Sequence, residues 1–131
     1  MKRRILIVDD DIDFSFLMKV TLELEGQYEV KVVVNPMHAV TAARGFKPAL
    51  ILLDCMMPHM DGEEVASAMR GDPALKEVPI AFLTATVFAR RDEARDGRVE
   101  TYLPKTLPTA DLVKFIMDVT SAGDAPAIAA G

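Results

Sequence analysis

The sequence predicts an α/β fold, a doubly wound parallel sheet with helices on both faces. Three observations predict it. Apolar runs of strand length alternate with segments of helical periodicity five times along 131 residues. The central run, Ala49 to Leu53, is apolar without a break, as suits a strand covered on both faces in the middle of a parallel sheet. Most of these runs also stop at a residue able to do chemistry, which is where open α/β sheets place their sites.

The elements follow in order. Arg3 to Val8 is an apolar run ending on Asp9, Asp10 and Asp11. Phe14, Leu17, Met18, Thr21 and Leu24 then mark one face of a helix from Ile12 to about Glu25, stopped by Gly26, with Asp11 as its cap. Glu29 to Val34 is the second strand. Asn35 caps a second helix with Pro36 at its first position, and Gly45 ends it. The third strand runs into Asp54, and Pro58 marks the loop beyond. Asp61 with Glu64 forms a capping box for a helix over Gly62 to Arg70, with Val65, Ala68 and Met69 inward. After the break at Gly71-Asp72-Pro73, Val78 to Leu83 is the fourth strand, ending at Thr84.

The stretch from Val87 to Glu100 is highly charged with little apolar periodicity, so the expectation there is a short or mobile helix. Tyr102-Leu103 make a brief fifth strand before Pro104-Lys105. Leu112, Phe115, Ile116 and Val119 give the last helix its core stripe, with Pro108 near its start. Residues 1–121 thus read as one domain and 122–131 as a flexible tail of small residues.

Composition narrows the function classes. The formal net charge is −5, with no basic cluster beyond Lys2-Arg3-Arg4 and Arg90-Arg91, which argues against direct nucleic-acid binding. No apolar run has the length of a membrane span. The single cysteine, Cys55, excludes an intrachain disulfide and fits a reducing, cytoplasmic setting. It reads as a packed thiol, and His38 and His59 read as surface residues.

Right-handed crossovers bring the carboxyl ends of all the parallel strands to one sheet edge. Asp9, Asp10, Asp54, Thr84 and Lys105 therefore share that edge. Two carboxylates about 4 Å apart repel by roughly 4 kcal/mol at an effective dielectric of 20, so the cluster needs a cation. Oxygen donors without His or Cys point to a hard ion such as Mg2+. A carboxylate, a metal, an ammonium and a hydroxyl together suit a phosphoryl group placed on Asp54.

Taken in order, ILIVDD, LDCMMPHMDG, LTA around Thr84 and YLPK ending at Lys105 make the chain resemble a response-regulator receiver domain of two-component signalling. The resemblance spans about Lys2 to Thr120 and implies a flavodoxin-like (βα)5 fold, a five-stranded parallel sheet of order 2-1-3-4-5. It implies that Asp54 is phosphorylated by a histidine kinase or phosphotransfer protein, and that Asp10, Asp54 and the Met56 carbonyl bind Mg2+ with help from Asp9. It further implies that Lys105 contacts the phosphoryl group and that Thr84 and Tyr102 form a switch pair. Such a domain is not an enzyme beyond its own Mg2+-dependent phosphorylation and dephosphorylation. One departure stands out: Lys105 is followed by Thr106, where the family usually has proline. The expected output surface, for a downstream protein or a second copy, is the face of residues 87–121, with Val113 and Met117 on its flank.

Two other readings compete. A metal-dependent phosphatase with an aspartate nucleophile would carry a second acid two residues on, where this chain has Met56. A pseudo-receiver that binds partners without phosphorylation would not need the full set of acids, Thr84 and Lys105. With no output domain in the sequence, the expectation is either a stand-alone regulator or a module of a longer chain.

Overall fold

The computed structural model describes residues 2–85, 90–93 and 99–121. Its elements run β1 (Arg3–Val8), α1 (Ile12–Glu23), β2 (Tyr28–Val33), a 3-10 turn (Pro36–His38), α2 (Ala39–Phe46), β3 (Leu50–Asp54), α3 (Gly62–Arg70), β4 (Ile80–Thr84), β5 (Arg90–Glu93), β6 (Val99–Pro104) and α4 (Thr109–Ser121). The sheet order is β2-β1-β3-β4-β6-β5. Its first five strands are parallel, in the expected 2-1-3-4-5 order, with β6 as the fifth parallel strand.

Strand alternation sorts the core into two layers. Leu6, Val8, Ile51, Leu53 and Phe82 pack under α2 and α3, against Ala43, Val65 and Met69. Ile5, Ile7, Leu50, Leu52 and Leu83 pack on the other face, against Leu22 of α1 and Leu112 and Ile116 of α4. All five residues of β3 are buried: Leu50 to Leu53 as their apolar run requires of a central strand, and Asp54 with them at the strand's end.

Four local expectations need correcting. First, Arg90–Glu93 is not helical: it forms β5, an edge strand antiparallel to β6, with Arg90 opposite Tyr102. Four successive charges offer a helix no apolar face to bury, whereas an edge strand tolerates them. Residues 87–89 and 94–98 of the expected helix lie outside the described residues, as does the tail over 122–131.

Second, α1 is rotated from its expected phase. Ser15 and Leu22 point inward, while Leu17 and Leu24 are 68% and 80% exposed. The Ser15 hydroxyl donates to the Asp9 carbonyl just beyond β1 at 3.3 Å, which turns that side toward the sheet. Ile12, Phe16 and Val20 are exposed as well, so the helix is apolar nearly all round and periodicity alone could not choose its inner face.

Third, Gly45 does not end α2. The helix continues to Phe46, and Lys47 terminates it in the left-handed conformation at φ 55°. Fourth, in α3 Ala66 rather than Ala68 is buried, alongside Gly62, Val65 and Met69. Asp61 and Glu64 form the expected reciprocal capping box, whereas Asn35, accepting from the Met37 N–H, caps the 3-10 turn that leads into α2 rather than α2 itself.

Candidate phosphoacceptor site

The site is built by the ends of β1, β3, β4 and β6. Val8 of β1 pairs beside Leu53 of β3, so Asp9 and Asp54, the next residue on each strand, emerge together at the carboxyl edge. Asp9 is fully buried and Asp54 is 6% exposed, whereas Asp10 is exposed. One carboxylate oxygen from each of the three lies within 4.8 Å of the others.

Each acid is held differently. Asp9 Oδ1 accepts from the Asp11 N–H at 2.9 Å, and Asp11 in turn caps α1 by accepting from the Phe14 N–H at 3.1 Å. Asp54 Oδ1 accepts from the Met56 N–H at 3.3 Å. The loop beyond is drawn back by the Gly62 N–H, which donates to the Cys55 carbonyl at 3.0 Å.

Lys105 reaches into this cluster from the end of β6. Its Nζ lies 2.8 Å from Asp9 Oδ2 and 3.5 Å from Asp54 Oδ2. Its backbone N–H donates to the Thr84 carbonyl at 2.7 Å, tying the two strand ends together. The described residues contain no cis peptide, so the Lys105–Thr106 bond is trans. Nζ also sits 4.9 Å from the centroid of the Phe14 ring on α1.

The electrostatics follow from burial. Asp54 is pushed from the ordinary 3.8 up to about 7, first by desolvation and then by the charge of Asp9, with Lys105 pulling the other way. Lys105 is raised: burial alone would lower it, but the contacts with Asp9 and Asp54 outweigh that. One ammonium thus faces three acids. The residues fit a hard divalent cation, since all three donors are carboxylate oxygens, two are buried, and the excess negative charge already penalises ionisation of Asp54. Such an ion would be held by Asp9, Asp10 and Asp54 and would supply charge neutralisation there.

Thr84 ends β4, one residue beyond the position opposite Asp54, and is half-buried. Tyr102 lies two residues before Pro104, the register partner of Thr84. Its ring stacks on Phe82 at 5.1 Å between centroids, and its hydroxyl donates to Glu63 Oε1 of α3 at 3.4 Å. Cys55 is half-buried against the α2–α3 layer, and His38 and His59 are exposed.

Sequence reasoning counted Phe14 only as a core residue, Gly62 only as a helix start, and passed over Glu63. Their placement depends on contacts between elements, which local pattern does not encode.

The division of labour among the acids gives a first prediction. Asp10→Ala will leave the melting temperature within about 2 °C of wild type, because an exposed surface change is within roughly 0.5 kcal/mol. The same variant will lose most Mg2+ binding by calorimetric titration. Wild-type affinity in Asp10→Ala would remove Asp10 from the ligand set.

Comparison with known proteins places this geometry among relatives. The family model described as the response regulator receiver domain matches residues 5–117. The DNA-binding response regulator MtrA of Mycobacterium tuberculosis is 35% identical over 113 residues, covering 82% of this chain and 48% of its own length. The chain therefore spans about half the length of the MtrA relatives it matches. The polar-differentiation response regulator DivK of Brucella anthropi is 31% identical over 117 residues, covering 88% of this chain and 94% of its own. Among solved structures, the receiver domain of a Pseudomonas aeruginosa PAO1 sensor histidine kinase superposes with a TM-score of 0.77 at 26% identity, covering 92% of this chain and 99% of its own; it has a magnesium ion coordinated in its active-site cleft.

Proposed function

Because the chain belongs to the response regulator receiver domain family, we propose that Asp54 is the residue that takes the phosphoryl group. A histidine kinase or phosphotransfer protein is its donor. The observation that carries this reading is the burial of Asp54 at the end of β3, with one oxygen 3.5 Å from the Lys105 ammonium and the other on the Met56 N–H.

An oxygen of ionised Asp54 attacks the phosphorus of a phosphohistidine. The new O–P bond forms as the P–N bond breaks, and the departing imidazole keeps the electron pair and takes up a proton from solvent. Lys105 stands where it can contact a phosphoryl oxygen on Asp54 and offset its charge. Asp9, Asp10, Asp54 and the Met56 carbonyl would hold Mg2+, which would supply neutralisation of the incoming charge. The chemistry of this site is self-phosphorylation, followed by hydrolysis in which water attacks the phosphorus and releases inorganic phosphate with Asp54 restored. The phosphatase reading fails on Met56, which is 83% exposed at the edge of the site and has no proton to donate.

The deciding experiment incubates the protein with a small acyl phosphate and Mg2+ and reads the intact mass. Wild type will gain one phosphoryl group, and Asp54→Asn will gain none. Equal uptake by the variant would place the acceptor elsewhere.

Thr84 and Tyr102 carry the response. A phosphoryl group on Asp54 draws the Thr84 hydroxyl as a donor, and Tyr102 follows inward from its present stack on Phe82 and its bond to Glu63. The output face is β6 with α4, where Val113 packs on the core and Met117 is 41% exposed. Thr84→Ala will accept phosphate at a rate within about threefold of wild type, since its hydroxyl is not the nucleophile. Its phosphorylation-dependent change in hydrogen exchange around Tyr102 will be reduced by half or more, and an undiminished change would exclude Thr84 from the switch.

A further inference from the structure

We propose that Phe14 is a positioning residue for Lys105, holding its ammonium against an aromatic face at the mouth of the cleft. This inference rests on the reading of Lys105 as the group that meets the phosphoryl oxygens. Lys105 has four methylenes and, with Thr106 after it, no proline ring stiffening the next residue. Three contacts fix its Nζ: Asp9 Oδ2 at 2.8 Å, Asp54 Oδ2 at 3.5 Å and the Phe14 ring at 4.9 Å from the centroid. An ammonium within about 6 Å of a ring centroid is attracted by the ring's quadrupole, more strongly where water is partly excluded. The Lys105 side chain is 21% exposed, which meets that condition.

The first two contacts are the ones a divalent cation contests, because Asp9 and Asp54 are its own ligands. A neutral ring is no competitor for such a cation. Phe14 therefore keeps a seat for the ammonium beside the cleft when the carboxylates turn to the metal. The placement is built by the acidic run itself: Asp9 binds the Asp11 N–H, Asp11 caps α1 through the Phe14 N–H, and the ring is thereby fixed in the first turn, half-buried against the α1–α4 layer.

The test pairs a metal-free spectrum with a rate. In metal-free protein, the ε-methylene protons of Lys105 will lie upfield of the other lysines through the ring current of Phe14. Phe14→Leu will remove that shift and Phe14→Tyr will keep it. At saturating Mg2+ with a small acyl phosphate, Phe14→Leu will slow phosphorylation about 2- to 30-fold, and Phe14→Tyr will stay near wild type. Pentafluorophenylalanine at position 14 keeps the shape but reverses the ring's quadrupole, so it will slow the reaction at least as much as Phe14→Leu. A wild-type rate with the fluorinated ring, or a Lys105 shift unmoved by Phe14→Leu, would overturn the inference. Failure of wild type to take up phosphate would instead overturn the reading of the site and the catalytic half of this inference. An intact ring shift in the same protein distinguishes that outcome from a failure of the Phe14 contact.

Discussion

Asp54→Asn will raise the melting temperature of the metal-free protein, by about 5 °C or more at pH 8 and by less at pH 5. Folding lifts the Asp54 carboxyl from 3.8 to about 7, so between those values the folded chain binds a proton that the unfolded chain has released. Stability therefore falls as pH rises through that window and levels off above it. At pH 8 the folded state carries an ionised, desolvated carboxylate beside Asp9, at a cost on the order of 3 kcal/mol. Asparagine keeps the shape and the acceptor for the Met56 N–H, and it leaves Lys105 paired to Asp9 at 2.8 Å. At pH 5 folded Asp54 is neutral and only the part of this cost that builds up between 3.8 and 5 is present, so the gap is smaller. Thermal denaturation in chelator at both pH values measures this, and Mg2+ at pH 8 will narrow the gap by stabilising wild type alone. A gap no larger at pH 8 than at pH 5 would contradict the assignment of the raised carboxyl to Asp54.

Gly62→Ala will destabilise the protein by about 3 kcal/mol, despite replacing glycine by the best helix former at the start of a helix. A Cβ there would sit 2.4 Å from the Asp54 carbonyl oxygen and 3.1 Å from the Cys55 Cα, and both are backbone atoms that cannot rotate away. Relief requires moving either α3 or the end of β3. Moving β3 displaces the carboxylate proposed to take the phosphoryl group, and about 1 Å of misplacement can cost 100-fold in rate. The expected result is a melting temperature lower by about 10 °C, with phosphorylation slowed at least 10-fold. A variant as stable as wild type would mean that α3 can shift without cost.

Local information runs out at particular elements of this fold. The run from Ala49 to Leu53 has one physical reading, a doubly covered strand, and β3 is buried throughout. The caps at Asp11, Asn35 and Asp61 are equally local, since each satisfies donors two or three residues away, and all three are in place. Alternation of strands and helices then dictates a parallel sheet and collects the strand-end residues at one edge. That much needed no coordinates. The inner face of α1 was not legible, because a helix apolar on nearly every side can be seated in several phases, and the Ser15 hydroxyl bond to the Asp9 carbonyl beyond β1 helps select one. Nor was the strand at Arg90–Glu93, whose charges disfavour a packed helix without specifying pairing with β6.

The site divides in the same way. The sequence by itself determined which residues share the sheet edge: acids at the ends of β1 and β3, a hydroxyl residue at the end of β4 and a lysine at the end of β6. Each of these positions follows from strand endings and chain order. Only the tertiary structure decided how they meet. It buries Asp9 and leaves Asp10 in solvent, lifts the Asp54 carboxyl to about 7, sets the Phe14 ring against Lys105 and presses Gly62 on the Asp54 carbonyl. Burial, desolvation and van der Waals contact are properties of neighbours far apart in the chain, and no window of sequence contains both members of such a pair.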